Sequence, residues 1–474
     1  MSARKIAPAF GRADRRRCGG AVAWASAVRP GGRLAGALAA VLLAGCGPAP
    51  SGSATSAPVD AFDFTGPSPW PAIRTERVQR LLPAAMLATG VDAWVVMLRE
   101  NANDPLALHV GGENAGAPAA VLLFPAEPAG IRSVMLSGFG EAIALRELGL
   151  HDSVVVYERT PGGLEAAVAA RLRAAAPGRI AVNSSSANVA DGLSHTQRTR
   201  LEAALGPELS GRLVSSEPLA TAWLAVKLPA EIEIMARAAR LTDRLEREAY
   251  ATVVPGVTRD SDLARFLKRR MRELGVDDGW SPAQNPSVNS GPDRGHSHAS
   301  DRVIEAGDVI QIDFGIKVHG VWVTDVQRFA YVLRLGERAP PDDVARKWDA
   351  ARRGGAAAFA AMRPGVTGSQ VDSAQRLVMH AAGSTAVPWG TGHGVGYWAH
   401  DLGPGLSRRE TRQLAEGQVY AFDGFFAWAL EGSDGTWGNR TKTISVEEMA
   451  VVTDSGARYL TPPQEELILI GGKE

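Results

Sequence analysis

Cysteine is almost missing: of 474 residues only Cys18 and Cys46 carry a thiol. Cys18 lies in a stretch read below as a removable leader, so no disulfide can close within the remainder. Stability there has to come from apolar cores, and a cysteine nucleophile is excluded. Net charge is missing as well, because 51 Lys and Arg balance 51 Asp and Glu. The balance is uneven along the chain. Eight basic side chains stand against Asp14 in the first 33 residues, so the rest sits near −7, which argues against nucleic acid as a partner. The apolar run Leu34 to Gly45 has twelve residues, short of the about 20 needed to span a bilayer. No glycine loop of the phosphate-cradling kind is found.

The amino-terminal stretch has the order of an export signal. Arg4, Lys5, Arg12, Arg15, Arg16, Arg17, Arg29 and Arg33 precede the short apolar core, which ends Leu43-Ala44-Gly45-Cys46. Residues 1–46 therefore read as a bacterial lipoprotein signal with lipidation at Cys46, giving an exported, lipid-anchored protein of the cell envelope. Gly47 lacks the acidic character that commonly retains lipoproteins at the inner membrane, so the expected address is the outer membrane, facing the periplasm. Residues 47–70 are rich in Pro, Ser, Ala and Gly and read as a flexible tether.

The chain changes character near Arg74, and its length with 45% hydrophobic residues supports two cores. Residues 71–225 alternate helices and strands. Arg77 to Thr89 and Leu164 to Ala175 are helical, while Asp92 to Leu98, Ala119 to Phe124, Ser133 to Ser137, Ser153 to Tyr157 and Arg179 to Asn183 are strands. That alternation predicts an α/β layer domain. Residues 226–474 hold an internal echo: Val254-Pro255-Gly256-Val257-Thr258 and Arg363-Pro364-Gly365-Val366-Thr367 each separate two helical stretches. The first is flanked by Pro229 to Tyr250 and Ser261 to Leu274, whose apolar residues recur at helical spacing. Two copies are too few for a solenoid, so a duplicated α+β half about a pseudo-twofold axis is expected, with a site between the halves.

Five metal-type side chains follow in order through this second domain: Asp313, Asp325, His393, Asp423 and Glu447. Asp313 ends the apolar run Val309-Ile310-Gln311-Ile312. Asp325 follows Val321-Trp322-Val323-Thr324, and Gly320 can turn the chain between the two. His393 lies in Gly392-His393-Gly394-Val395-Gly396, where missing side chains would let backbone approach an ion. Several carboxylates with one imidazole suit Mn, Fe, Co or Zn, and favour a pair of ions over one.

With these residues the chain resembles the pita-bread metallopeptidases: methionine aminopeptidase, aminopeptidase P and prolidase, with creatinase as a metal-free cousin. The matching stretches are Gly307 to Gly315, Thr324-Asp325, Gly392 to Gly396 with His400, and Val446 to Thr453. The resemblance covers roughly residues 70 to 470 and extends to a creatinase-like amino-terminal domain without chemistry of its own. It implies a pita-bread α+β catalytic domain and two divalent ions (Mn, Co, Zn or Fe). It further implies that Asp313 and Glu447 touch both ions, Asp325 one, and His393 with Asp423 the other. His296 and His400 become the catalytic histidines, acting on substrate or on the tetrahedral intermediate, and His298 stays an ordinary hydrogen-bonding residue. A peptide is the implied substrate, cleaved next to proline by an ion-held hydroxide, and a homodimer is the implied assembly.

Three departures from that family stand out. Asp423 replaces the usual Glu, with Gly424 where Pro is common, a change expected to free the chain to move inward. The interval from Asp313 to Asp325 is one residue longer, which a bulge in the second strand could absorb. Ser445 stands where proline-directed members often have Arg. Two alternatives therefore stay open: a metal-free creatinase-like hydrolase using His296, and a non-catalytic, peptide-binding lipoprotein.

Overall fold

The computed structural model describes residues 62–116, 118–291, 297–430 and 441–471. The leader, Cys46 and His296 lie outside the described residues. The tether is shorter than its composition suggests. Phe64 is buried, its ring edge-on to His319, and Trp70 opens the first helix as a core residue.

The amino-terminal layer is a six-stranded mixed sheet. Its strands are β1 (Ala93–Leu98), β2 (Ala119–Ala126), β3 (Gly130–Ser137), β4 (Ser153–Val156), β5 (Ile180–Val182) and β6 (Leu213–Ser215), in the order β4-β3-β2-β1-β5-β6. Strand β1 explains why its sequence is apolar without a break. Trp94, Val96 and Leu98 enter one core and Ala93, Val95 and Met97 the other, so helices cover both faces. Those helices are α1 (Trp70–Glu76), α2 (Leu82–Thr89), α3 (Phe139–Leu148), α4 (Gly163–Ala175), α5 (His195–Ser210) and α6 (Glu217–Leu224). Helix α3 escaped the sequence pattern because its stripe is thin: Ala142 and Leu145 are buried while Phe139 is 77% exposed. Helix α5 escaped because Gly206 and Pro207 break its period.

The second layer carries α7 (Pro229–Tyr250), α8 (Asp260–Leu274), α9 (Asp342–Ala361) and α10 (Gly368–Ala381). Helix α7 has the expected bounds, with Pro229 in its first turn, and α8 stops at Gly275, whose φ of 65° is left-handed. Eight strands form the main sheet. Its path runs β13 (Gly392–Gly394), β14 (Val419–Ala429), β15 (Thr441–Val452), β12 (Val326–Val332), β9 (Val309–Phe314), β8 (Ser287–Asn289). Strand β16 (Ala457–Tyr459) adds to β15 and β17 (Ile468–Ile470) to β12. A small sheet joins β7 (Asp277–Asp278), β10 (Ile316–Val318) and β11 (Trp322–Val323).

The sequence echo is a structural one. The Gly256 amide donates to Ile304 O at 2.8 Å, and the Gly365 amide to Leu414 O at 2.9 Å. Both glycines turn with positive φ, 78° and 83°. Each half thus contributes a helix pair and three strands of the six-strand path, and the halves meet where β12 lies against β15. Among the described residues no helix is long and apolar enough to cross a membrane.

Candidate metal centre

Register alone gathers the acidic residues. Ser287 lies opposite Asp313, Asp313 opposite Gln327, Gln327 opposite Glu447, and Glu447 opposite Asp423. Directly opposed residues share a face, so one row across five strands aims them to the same side. His393 pairs with Ala421, two residues before Asp423, and joins that face. Asp325 arrives differently. The second strand is broken rather than bulged: β11 ends at Val323 in the small sheet, and β12 begins at Val326 in the large one. Thr324 pins the break, donating its amide to Ile316 O at 2.9 Å and meeting the Thr242 hydroxyl at 2.7 Å.

The ligand atoms converge. His393 Nε2 is 3.8 Å from Asp325 Oδ2 and 3.8 Å from Glu447 Oε1, and one donor atom from each of the three lies within 4.8 Å of the others. Asp313 lies close enough to Asp325 for each carboxylate to disfavour charge on the other. His393 Nδ1 donates to Gly394 O at 3.2 Å, leaving Nε2 as the lone-pair nitrogen that faces the acids. Loss of solvent and the neighbouring His400 lower the His393 pKa to about 4, so the ring is neutral and able to ligate.

The electrostatics ask for a cation. Burial, then Asp313 and Asp423, push the Asp325 pKa well above the carboxylate range. Burial, then Asp325, Asp423 and Asp313, do the same to Glu447, which is 2% exposed. Among the described residues neither lysine nor arginine pairs with Asp325 or Glu447. Four carboxylates held together at this cost, beside a neutral imidazole, fit a site built for divalent ions.

The surrounding residues hold the ligands still. Arg328, fully buried, binds Asp243 of α7 through Nε and Glu448 through both terminal nitrogens at 3.2 and 3.0 Å. It also donates to Glu447 O at 3.1 Å, which ties β15 to the helix behind it. Tyr397, between His393 and His400, donates to Glu231 Oε1 at 2.5 Å, and Glu231 pairs with Arg77 of the amino-terminal layer. His400 is exposed, its ring centroid 4.1 Å from that of His393, which puts it at the mouth of the site. His298 meets Ser287 Oγ at 3.3 Å, one strand beyond Asp313.

Two of the glycines around His393 are held by packing, Gly392 and Gly396. A Cβ on Gly392 would lie 2.3 Å from Ala421 O, and one on Gly396 2.3 Å from Lys227 Cε. Gly424 is likewise clamped rather than free: its added Cβ would lie 2.0 Å from Ala351 O of α9. Asp423 is held in turn, its amide donating to Thr391 O at 2.7 Å and its Oδ1 accepting from Ser445 at 3.1 Å. The short side chain and Ser445 thus form a unit. Sequence reading passed over Gln327, Gln311 and Arg328. The signal was present, since Gln311 and Gln327 are polar residues inside otherwise apolar strands on the same face as Asp313.

Residues 233–454, a little under half of the chain, match the model of metallopeptidase family M24. That stretch is similar to the M24 metallopeptidases. A probable dipeptidase PepE of Mycobacterium tuberculosis is 30% identical over 248 residues, 52% of this chain and 60% of the relative. A Xaa-Pro dipeptidase of Pyrococcus furiosus is 26% identical over 248 residues, 51% of this chain and 65% of the relative. The chain therefore spans less than two thirds of these curated relatives. A solved Xaa-Pro dipeptidase from Bacillus anthracis, 20% identical, superimposes with a TM-score of 0.66 over 84% of this chain and 99% of that one. The match extends beyond that stretch and shows the pita-bread fold; fold alone does not carry an activity.

Proposed function

We propose that this protein is an exported metal-dependent exopeptidase of the Xaa-Pro aminopeptidase or prolidase type. One observation carries the reading: Asp325 and Glu447 converge on the lone-pair nitrogen of His393, with Asp313 and Asp423 beside them in the strand register, and no lysine or arginine among the described residues balances Asp325 or Glu447. Asp313, Asp325, His393, Asp423 and Glu447 would hold two divalent ions, which when bound lower the pKa of water toward neutral and polarise a carbonyl oxygen. The protein's own residues do the rest. His400, at the mouth, is placed to donate to the oxygen that gains charge as the scissile carbonyl becomes tetrahedral, and His296 to steady substrate or leaving group. Arg328, bonded to Glu447 O and Glu448, keeps the strand that carries Glu447 from drifting. The printed names of the relatives, dipeptidase and Xaa-Pro dipeptidase, support a short peptide as substrate. Anchoring through a lipid on Cys46 would place the reaction at the envelope, on peptides reaching the periplasm.

A second reading, a peptide-binding lipoprotein without turnover, draws on one feature: Ser445 already occupies Asp423 Oδ1. The two are separated with the soluble form beginning after Cys46, supplied with Mn, Co or Zn. The proposal expects release of the first residue from dipeptides, fastest with proline second, and silence after chelation. Peptide affinity without cleavage at any metal concentration would replace it with the binding reading. Hydrolysis of a small amidine without metal would replace it with the creatinase-like one.

A further inference from the structure

A ladder of buried amides leads away from Glu447. Gln327 Nε2 donates to Glu447 Oε2 at 2.7 Å, and Gln311 Nε2 donates to Gln327 Oε1 at 2.7 Å. Asn289 Nδ2 donates to Gln311 Oε1 at 2.8 Å, and Lys442 Nζ to Asn289 Oδ1 at 3.4 Å. All five side chains are buried, Lys442 being 1% exposed. Every bond points the same way, from Lys442 toward Glu447.

The two ends explain that direction. A lysine ammonium can only donate, whereas a carboxylate that holds a cation has lost its proton and can only accept. A primary amide does both, so its orientation is set by its neighbours. With a donor at one end and an acceptor at the other, one arrangement alone satisfies every group: each amide takes a hydrogen bond on oxygen and passes one on from nitrogen. Flipping any one of them would set two donors or two acceptors face to face in a buried space, at the cost of unpaired polar groups.

We propose that Gln327 is a positioning residue for Glu447 and that Lys442, through Asn289 and Gln311, fixes which way Gln327 points. The consequence lies in the metal centre. Gln327 holds Oε2, which sets the plane of the carboxylate and leaves Oε1 turned toward His393 Nε2 at 3.8 Å. Partners that orient a ligating group in this way are commonly worth about 10- to 100-fold in metal affinity. This inference rests on the metal-centre reading above and adds to it a residue five positions earlier on the same strand, β15, that reaches Glu447 only through side chains of β8, β9 and β12 and controls ligand geometry.

Titration of the soluble protein with Mn²⁺, followed by calorimetry and by the electron-spin signal of the bound ions, tests it. Gln327→Met keeps the volume and removes the bond; it should weaken binding about 10-fold or more and loosen the coupling between ions. Lys442→Arg keeps a donor-only end and should bind as wild type. Lys442→Met should weaken binding less than Lys442→Glu, which puts acceptors at both ends of the ladder. That order depends on hydrogen-bond polarity, so general loss of packing would not reproduce it, and it stands even if Gln327→Met fails to fold. Equal affinity in Gln327→Met and wild type, or equal loss in Lys442→Arg and Lys442→Glu, would overturn the inference while leaving the metal centre intact. A wild-type protein that binds no Mn²⁺ would overturn both.

Discussion

Replacing Glu246 by glutamine isolates a carboxyl group that the fold buries without a partner. Glu246 lies on α7, 0% exposed, and neither carboxyl oxygen has a hydrogen-bond partner. The cation nearest in effect, Arg328, is engaged by Asp243 and Glu448, and Asp243 and Asp313 add like charge. Burial, the largest cause, pushes the Glu246 pKa well above its ordinary 4.5. The sign follows directly. Above pH 4.5 the unfolded chain releases a proton that the folded chain keeps, so stability falls as pH rises until the raised pKa is passed. The slope of that loss approaches about 1.4 kcal/mol per pH unit. Glu246→Gln removes it while keeping shape. Urea unfolding in the presence of chelator, at steps from pH 5 to pH 8, should show near-equal stability at the acid end and a growing advantage for the mutant. The titrations of Asp325 and Glu447 are common to both proteins and cancel in the difference. A stability difference that does not change with pH would refute the reasoning.

The remaining predictions concern the site and the address. Gly424→Ala sets a methyl group 2.0 Å from Ala351 O and 2.4 Å from Gly355 N, so it should cost about 1–3 kcal/mol in thermal or urea unfolding and displace Asp423 as well. His400→Ala should keep its full complement of metal by elemental analysis yet lose turnover, because an exposed side chain at the mouth acts on the reacting oxygen and not on the ions. Cys46→Ser should leave an unprocessed precursor without lipid, read by mass and by detergent partition of cell envelopes; a wild-type protein found soluble with its amino terminus intact would contradict the lipoprotein reading.

Much of the site was legible because its chemistry is carried by order and spacing. Asp313, Asp325, His393, Asp423 and Glu447 stand out one by one in apolar or glycine-rich surroundings; the strand register sets Asp313, His393, Asp423 and Glu447 on one face, and the break after β11 brings Asp325 to them. The α7 bounds were legible for a similar reason, since proline marks its start and its buried stripe is wide. What was hidden depends on contacts between distant segments. The break at Thr324-Asp325 follows from two sheets competing for one strand, and spacing alone is equally consistent with a bulge. The packing role of Gly392 and Gly424 needs the neighbours β14 and α9 to be in place. The amide ladder joins Lys442 to Glu447, five residues apart on β15, only through Asn289, Gln311 and Gln327 of three other strands.

The count of tightly bound divalent ions on the purified soluble protein tests the central claim most directly, measured by elemental analysis on wild type and on Asp313→Asn, with dipeptide hydrolysis followed on the same samples. The account predicts two ions per chain in the wild type, and loss of both metal and hydrolysis in Asp313→Asn, which keeps the shape of the side chain but not its charge. A wild type that cleaves without bound metal, or an Asp313→Asn protein that cleaves as fast as wild type, would contradict it.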